Sequence, residues 1–504
     1  MRADTARPRP RIAIIGAGFS GVCLGIQLLQ AGFRDFTILE KAERAGGTWR
    51  DNTYPGAACD LQSFAYCYSF EQKTDWSRRW SPQPEILAYL EHCVRKYGLG
   101  PHLRTGAEVE AARFDAEAGL WRVRLASGEE LEAEVLVSGV GQLHRPHVPD
   151  LSGLGDFRGV SFHSARWRHD VDLAGKDVAV IGNAASAIQF IPEIAPRVRR
   201  LHVLQRSANW MLPKGDRVFS EREKWIFGHV PLAARLQRWR IWLTHELWFF
   251  PVMRGNNWLA RGVEKLARGH IEAQVADPDL RRALVPDYPI GARRALISDD
   301  YYPALQRENV SLVTSPIERI VADGVLTRDG RRHPAEVLIL ATGFESTSFL
   351  APIKIEGLGG RRLDEAWKGG AEAYLGLAVP GFPNFFLMYG PNTNLGHNSI
   401  IFMIECQARY IVSALRQMAE RGLRRIDLRP DVMRAFQARL ERALAKTVWA
   451  RTDHSWYKTR EGRITNNWSG TTVSYWWKTR RANLAEYRLA ARDEEPPAQA
   501  TGPA

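Results

Sequence analysis

The fold of this chain is decided by one stretch near its start, Arg11-Ile-Ala-Ile-Ile-Gly16-Ala-Gly18-Phe-Ser20-Gly21. An apolar run of strand length leads directly into a GxGxxG turn, and apolar residues at helical spacing follow it. Gly16 permits a tight turn, Gly18 lets the backbone approach a pyrophosphate, and Gly21 lets the helix pack closely on the strand. The N–H groups at the start of the helix attract phosphates. The stretch therefore predicts a Rossmann-like fold that binds a dinucleotide.

An acidic residue at the next strand end supports this prediction. Glu40 follows the apolar run Phe36-Thr-Ile-Leu39, at the position from which a carboxylate holds ribose hydroxyls. An ordinary βα turn is the alternative, and it requires neither the glycine spacing nor the acid. We therefore favour a nucleotide site.

The same plan occurs a second time along the chain. The strand Asp177–Ile181 leads into Gly182-Asn183-Ala184-Ala185-Ser186-Ala187, then into a helix and the strand Arg200–Leu204. Two such folds imply two nucleotides that must meet, and flavin with nicotinamide is the usual partnership. The second strand ends in Gln205-Arg206-Ser207, where an arginine suits a 2′-phosphate and an acid would hold a 2′-hydroxyl. The predicted cofactors are FAD and NADPH, with a plain surface arginine as the alternative at Arg206.

The predicted fold class is α/β, with two Rossmann-like dinucleotide-binding domains and a helical insertion. The predicted boundaries are 1–152 and 336–490 for an FAD-binding domain, 153–335 for an NADP-binding domain with an insertion at 216–290, and 491–504 for a disordered tail. The apolar run at 336–340 is expected to return to the first sheet.

Composition limits the partners and the compartment. The chain has 504 residues and a net charge of +13, but its basic residues are scattered, so no nucleic-acid partner is predicted. Its five cysteines form no CxxC motif, which suggests neither a disulfide framework nor a metal site and fits the cytoplasm.

The most apolar stretch, Ile241–Met253, is too short to span a bilayer and contains His245 and Glu246. No integral membrane segment is predicted. The arginines near this stretch would allow a helix that lies on a membrane, but we favour a helix packed over a binding cleft.

Two longer patterns connect the turns to a known family. Phe157-Arg-Gly159-Val-Ser-Phe-His163-Ser-Ala-Arg-Trp167 matches FxGxxxHxxxW, and residues 46–60 match [A/G]GxWxxxx[F/Y]P[G/M]xxxD in full. Together with both glycine turns, these patterns resemble the fingerprints of type I Baeyer–Villiger monooxygenases. The resemblance extends from Arg11 to about Arg488.

The resemblance implies roles for particular residues. Arg294 falls where the family carries its active-site arginine, with Asp60 as the carboxylate that orients it. His163 and Trp167 fall in a linker that sets the relative position of the two domains, and Arg293 falls near the 2′-phosphate. The positions where the family contacts FAD are Ser20, Glu40, Thr48, Trp49, Asp60, Tyr66, Val109 and Gln142.

The implied reaction uses NADPH, FAD and O2 to form a C4a-peroxyflavin, which attacks a ketone and yields an ester or lactone. A fixed guanidinium would keep the peroxide deprotonated, because arginine does not lose its proton. One alternative function is an N- or S-oxygenating flavin monooxygenase that uses the hydroperoxyflavin and needs no arginine. Another is a flavoprotein without oxygenase turnover that acts as a binding or sensing module.

The chain departs from the family pattern at Ala184, where the second turn usually has its middle glycine. A methyl group there is expected to crowd the pyrophosphate and to weaken NADPH binding or shift its pose.

Overall fold

The computed structural model describes residues 9–452 and 455–491. The first eight residues of the predicted FAD-binding domain lie outside this range, and so does the predicted disordered tail apart from Ala491.

The strands and helices follow each other closely along the described chain. The strands are β1 (Ile12–Ile15), β2 (Phe36–Leu39), β3 (Leu103–Arg104), β4 (Val109–Asp115), β5 (Leu120–Leu125), β6 (Glu130–Ala133), β7 (Val135–Ser138), β8 (Val160–His163), β9 (Asp177–Ile181), β10 (Arg200–Leu204), β11 (Met211–Leu212), β12 (Leu296–Ile297), β13 (Val310–Val313), β14 (Ile317–Val321), β15 (Gly324–Thr327), β16 (Arg332–Pro334), β17 (Val337–Leu340), β18 (Lys354–Glu356), β19 (Phe385–Leu387), β20 (Leu423–Leu428) and β21 (Tyr487–Ala491). The helices are α1 (Phe19–Gln30), α2 (Thr48–Asp51), α3 (Gln83–Lys96), α4 (Ala187–Ile194), α5 (Glu221–His229), α6 (Ala233–Thr244), α7 (Phe250–Met253), α8 (Asn257–Gln274), α9 (Pro278–Leu284), α10 (Tyr301–Leu305), α11 (Leu363–Ala366), α12 (Ile400–Arg421), α13 (Pro430–Leu444) and α14 (Thr472–Thr479).

The first sheet is parallel and has the order β19-β7-β1-β2-β3. Ile14 pairs with Ile38 on one side and with Val137 on the other. All four residues of β1 are buried, as expected for a strand in a parallel sheet with both faces covered. The buried sides of α1 and α12 belong to the same apolar core. The first glycine turn therefore leaves the carboxyl end of a central strand, where α/β sheets bind ligands.

The second sheet is also parallel, with the order β13-β10-β9-β17-β8. Its second glycine turn follows β9, a fully buried central strand. The α/β class with two dinucleotide-type sheets is thus confirmed.

The prediction that residues 336–340 return to the first sheet is wrong. β17 pairs with β9 on one side and with β8 on the other, so Val337 aligns with Val178 and Val160 in the second sheet. The chain rejoins the first sheet only at β19. The sequence of a short, wholly apolar strand predicts that the strand is buried, but it does not specify which neighbouring strand it pairs with.

Five helices, α5 to α9, occupy residues 221–284 and form the predicted helical insertion. The insertion lies between β11 and β12 in the chain, and these two strands pair with each other. Ser220 and Glu223 form a capping box at the start of α5, while Asn256 and Asp277 cap α8 and α9. Within the described residues, no helix has the length and apolar character needed to cross a membrane.

Candidate active site

The first glycine turn packs closely against its own sheet and leaves room for a ligand over Gly18. Gly16 has a φ of +98°, which favours glycine, and a Cβ on Gly21 would overlap the carbonyl oxygen of Gly16. Over Gly18, a Cβ would meet only the Cα of Gly47 among the described residues, at 3.7 Å. α1 begins directly after Gly18 with no side-chain cap and no acid in its first turn. The turn therefore fits a phosphate group.

Glu40 holds this turn together from the neighbouring strand. Its carboxylate accepts hydrogen bonds from the backbone N–H groups of Ala17 (2.9 Å) and Ala42 (3.0 Å). It also accepts one from Arg50 at 2.9 Å, and the side chain is buried. A carboxylate has about four acceptor positions, so one is left for a ribose hydroxyl. Glu40 is thus placed to shape the site as well as to bind a ligand.

The predicted flavin contacts from the 46–60 segment lie against the first turn. The N–H of Gly46 donates to the carbonyl of Ala17 at 3.0 Å, which places Thr48 and Trp49 beside the turn. The indole Nε1 of Trp49 donates to the hydroxyl of Tyr66 at 3.0 Å. The segment and the turn therefore line one cleft.

Two further predicted contacts reach the cleft from other elements. The chain next to Val109 lies beside Glu40, the predicted ribose contact, because the N–H of Ala107 donates to the carbonyl of Glu40 at 2.9 Å. Gln142 is buried and donates through Nε2 to the carbonyl of Tyr389 at 3.3 Å. Its buried Oε1 accepts no hydrogen bond among the described residues. A buried acceptor of this kind fits a cofactor that donates a hydrogen bond to it.

The second turn is built around Asn183, which joins it to the strand end. Its side chain donates to Gln205 Oε1 at 2.7 Å and to the carbonyl of Ser207 at 3.1 Å. Gln205 therefore has a structural partner at the position where other nucleotide folds place an acid. Gly182 has a φ of +107°, and a Cβ there would overlap the carbonyl oxygen of Ala341.

Cationic groups gather beside this turn from distant parts of the chain. The guanidinium of Arg293 donates to Ser207 Oγ at 2.8 Å and lies 4.4 Å from the ring centre of Tyr288. Arg206 is exposed and forms no ion pair within the part of the chain that the structure describes. Two guanidinium groups at this position suit the 2′-phosphate of the predicted NADPH.

The helix after the second turn also lacks a side-chain cap at its N-terminus. Ala187 begins α4, and its N-cap residue Ser186 makes no side-chain capping bond. Ala184 is exposed, so its methyl group projects into the open side of the turn rather than into the core.

Arg294 and Asp60 form the ion pair that the family resemblance implied. Nη2 of Arg294 lies 2.5 Å from Oδ2 of Asp60, and the two side chains remain 38% and 32% exposed. Burial is the largest single effect and opposes the charge of Arg294, but Asp60 and the neighbouring tyrosines together outweigh it and raise the pKa of the guanidinium above its ordinary value. The site therefore presents a permanent positive charge, fixed by a carboxylate and accessible to a small molecule.

His163 and Trp167 lie at the edge of the second sheet. Nδ1 of His163 accepts from the N–H of Ala165 at 3.0 Å, and burial lowers the pKa of this histidine to about 4. Trp167 packs on Phe162 and on Phe190 of α4. Both side chains have packing partners in the second fold, and their predicted linker role stays a prediction.

Comparison with known proteins identifies the family. Residues 13–220 match the model of the pyridine nucleotide-disulphide oxidoreductases. A Baeyer-Villiger monooxygenase of Streptomyces coelicolor is 42% identical over 95% of this chain and 92% of its own length. A Baeyer-Villiger monooxygenase of Pseudomonas aeruginosa is 41% identical over 98% and 94%. The chain belongs to the Baeyer–Villiger monooxygenase family.

A solved structure agrees with this assignment. The OTEMO complex with FAD and NADP is 28% identical, with a TM-score of 0.86 over 96% of this chain and 100% of that one.

The two fingerprint segments approach each other in the structure. Thr53 Oγ1 and His169 Nε2 are 2.8 Å apart, which joins the 46–60 segment to the chain just after the 157–167 segment. The hydroxyl of Tyr54 donates to Oε1 of Gln189 on α4, at 3.0 Å, and Gln189 Nε2 donates back to the carbonyl of Ala58 at 3.0 Å. The 46–60 segment thus connects both nucleotide folds.

Two tyrosines near the ion pair were missed in the sequence. Arg294 lowers the pKa values of both Tyr389 and Tyr457, but burial dominates, so that the pKa of Tyr457 rises to about 12 and that of Tyr389 also rises. Tyr389 has a φ of +56° and donates to Asn394 Oδ1 at 2.8 Å. The only local signal was the loop at 390–399, which is similar to a flavin-side loop in one branch of the family.

Proposed function

We propose that this chain is an FAD-dependent, NADPH-consuming monooxygenase that inserts one oxygen atom of O2 next to a ketone carbonyl. The product is an ester or a lactone. The second oxygen atom leaves as water, with the hydride of NADPH and one proton from solvent, and NADPH leaves as NADP⁺. The observation that carries the proposal is the ion pair of Arg294 and Asp60, at 2.5 Å, in a member of this family.

The donor sets of the two turns fit the two nucleotides. We assign FAD to the first turn, with Gly16, Gly18, Ser20, Gly21, Glu40, Thr48, Trp49, Asp60, Tyr66, Val109 and Gln142 around it. We assign NADPH to the second, with Gly182, Asn183, Ala184, Ser186, Ala187, Arg206, Ser207 and Arg293. The bound flavin would take electrons from NADPH and activate dioxygen.

The protein's own part in the chemistry is electrostatic. The guanidinium of Arg294 cannot act as an acid at physiological pH, so it offers charge and hydrogen bonds without giving up a proton. It would stabilise the negative charge that develops on the ketone oxygen. Asp60 acts through Arg294, because its carboxylate fixes the direction of the guanidinium.

We infer an apolar ketone from the side chains packed around Gly291. A Cβ built on Gly291 would meet the side chain of Met253 at 3.2 Å, and one built on Gly396 would meet Trp449 at 3.1 Å and Met253 at 3.3 Å. Gly291 precedes Arg294 by three residues. An aliphatic or cyclic ketone would bury its apolar surface against these side chains.

The cysteines support a reducing compartment, and we assign the protein to the cytoplasm. All five cysteines are free and buried.

A product assay tests the function directly. The FAD-loaded protein is incubated with NADPH, ¹⁸O-labelled O2 and a panel of cyclic, aliphatic and aryl ketones, and the products are analysed by mass spectrometry. One labelled oxygen atom is expected in the ester. Consumption of a ketone without ester would contradict the proposal.

The variant Arg294→Ala is expected to lower ester formation by about 10²–10³-fold, since one charge-stabilising donor is lost. NADPH oxidation should continue in this variant and release hydrogen peroxide. The matched control is Arg254→Ala, which removes an exposed arginine of the insertion. Full activity of Arg294→Ala on a sulfide, in a protein that never converts ketones, would instead favour the N- or S-oxygenating alternative.

A further inference from the structure

The helix α6 turns an apolar stripe to the solvent. Its exposed large side chains recur at helical spacing and continue past its end into the π-helical turn His245–Phe249. They are Leu232 (58% exposed), Leu236 (65%), Trp239 (62%), Leu243 (47%), Leu247 (59%) and Trp248 (57%). Residues three and four apart share one side of a helix, so these side chains form one continuous surface.

Two charged side chains of the same helical run face inward, while Arg235 and Arg240 of α6 are exposed together with the apolar stripe. Arg238 points inward, where its guanidinium donates to the carbonyl of Cys67 at 2.7 Å and lies 4.0 Å from Glu405. Glu246 is buried and accepts from the backbone N–H of Thr472 at 3.1 Å. An ordinary surface helix turns its large apolar residues towards the core, whereas six of those on this run are exposed. The exposed stripe is therefore a surface that needs a partner.

A second helix extends this surface. The indole of Trp242 on α6 donates to Thr472 Oγ1 at 3.0 Å, which places α14 beside α6. On its solvent side α14 exposes Val473, Trp476 and Trp477. We call the exposed stripe of α6 and these α14 side chains the tryptophan face.

Arginines border the tryptophan face. The guanidinium of Arg480 lies 3.7 Å from the ring centre of Trp477, and that of Arg409 lies 5.9 Å from the ring centre of Trp476. Two adjoining clefts of about 450 and 500 Å³ share Arg480 and Arg481 in their walls. The first cleft also contains Arg409, Arg416 and Glu420, and the second contains Arg421. Arginines outnumber the single carboxylate, so the clefts favour an anionic group.

We propose that the tryptophan face docks the enzyme on an anionic lipid bilayer. The tryptophan and leucine side chains lie at the level of the acyl boundary, where amphipathic aromatic rings are favoured. The arginine-lined clefts receive the phosphates of the headgroups. The net charge of +13 adds a general attraction to an anionic surface.

The charges argue against a second copy of this chain as the occupant. A twofold interface uses the same patch on both subunits. Arg409, Arg480 and Arg481 of the two copies would then approach one another, and like charges oppose association. An anionic bilayer offers the complementary charge.

Docking would bring the bilayer close to the apolar wall of the active site. Met253, which lies beside Gly291 and Gly396, ends the helical run that carries the exposed stripe. A lipophilic ketone dissolved in the bilayer would enter from that side. This consequence rests on the proposed function, whereas the docking itself does not.

Vesicle co-sedimentation of the FAD-loaded full chain tests the proposal. The two lipid compositions are phosphatidylcholine alone and an equimolar mixture with phosphatidylglycerol. We expect binding to the mixed vesicles that weakens as sodium chloride is raised. The double variant Arg480→Gln/Arg481→Gln should bind about 25-fold more weakly, at about fivefold for each arginine.

A second double variant, Trp239→Ser/Leu243→Ser, should weaken binding more than tenfold, because two apolar side chains no longer insert. The matched controls are Val148→Ser and Arg328→Gln, which change exposed residues away from the tryptophan face and should bind like the parent. Ester formation measured without vesicles should be the same in all four variants, so a failure of docking is distinguishable from a failure of the proposed function.

Three results would overturn the proposal. They are no sedimentation with the mixed vesicles, equal binding to both lipid compositions, and a dimer in solution that the Trp239→Ser/Leu243→Ser variant dissociates.

Discussion

The two glycine turns follow the same plan, but one is closed and the other is open. In the first, Ala17, Phe19, Ser20 and Gly21 are buried, and the buried carboxylate of Glu40 binds the turn. In the second, Ala184 and the neighbouring Arg206 are exposed.

The difference matches what each nucleotide must do. On the proposed assignment FAD occupies the first turn, and a closed turn would hold it with backbone groups that need no rearrangement. NADPH would enter and NADP⁺ would leave at the second, which an open turn with an exposed arginine permits. The same supersecondary plan would then serve a resident cofactor and an exchanging one, and the side chains around each turn would decide which.

The strongest test of the closed turn is Gly21→Ala. Its methyl group would overlap the carbonyl oxygen of Gly16, so we expect the free energy of unfolding to fall by more than about 3 kcal/mol, with loss of bound FAD. Chemical denaturation and the flavin absorbance of the purified protein measure both effects.

The control is Gly269→Ala, the same substitution inside α8, where a Cβ meets nothing within 4 Å. It should be neutral or slightly stabilising, by about 0.5–1 kcal/mol. A Gly21→Ala protein with unchanged stability and full FAD content would show that the first turn is not closed as described.

Acid should weaken the second fold through His163. Burial lowers the pKa of His163 to about 4 from an ordinary value of 6.5, so the folded protein favours the neutral ring. The resulting stability is present above pH 6.5 and is lost as the pH falls towards 4, by about 3 kcal/mol. Denaturation curves across this range should show that His163→Gln reduces the loss, whereas His229→Gln, at an exposed position, does not.

Arg206→Ala tests the open turn. Removal of a charged partner of the 2′-phosphate should raise the KM for NADPH by about 10–100-fold. NADH lacks that phosphate, so its KM is the internal control and should stay the same. Equal effects on both nucleotides would mean that Arg206 does not contact the 2′-phosphate.

The smallest effect is expected for Ala184→Gly. Removal of the exposed methyl group should let the pyrophosphate approach the turn and lower the KM for NADPH by about two- to fivefold, less than 1.4 kcal/mol. Steady-state kinetics with unchanged FAD content is the measurement. A higher KM would show that the methyl group does not crowd the nucleotide.

Much of the fold could be predicted from the sequence, because the strand–turn–helix units are local. Glycines at fixed spacing, the run of buried residues in β1 and β9, and the capped helices of the insertion each depend on residues close in the chain. The roles of Arg294 and Asp60 came from the family resemblance and not from spacing, since 234 positions separate them. The closeness of their side chains in the structure is consistent with those roles.

Three features were decided only by the tertiary structure. β17 joined the second sheet, Arg293 reached Ser207 across 86 positions, and α6 turned Arg238 inward and Trp239 outward. In each case the local sequence allows several partners of similar chemistry. The choice among them depends on the free energy of the whole packed chain, which no short stretch contains.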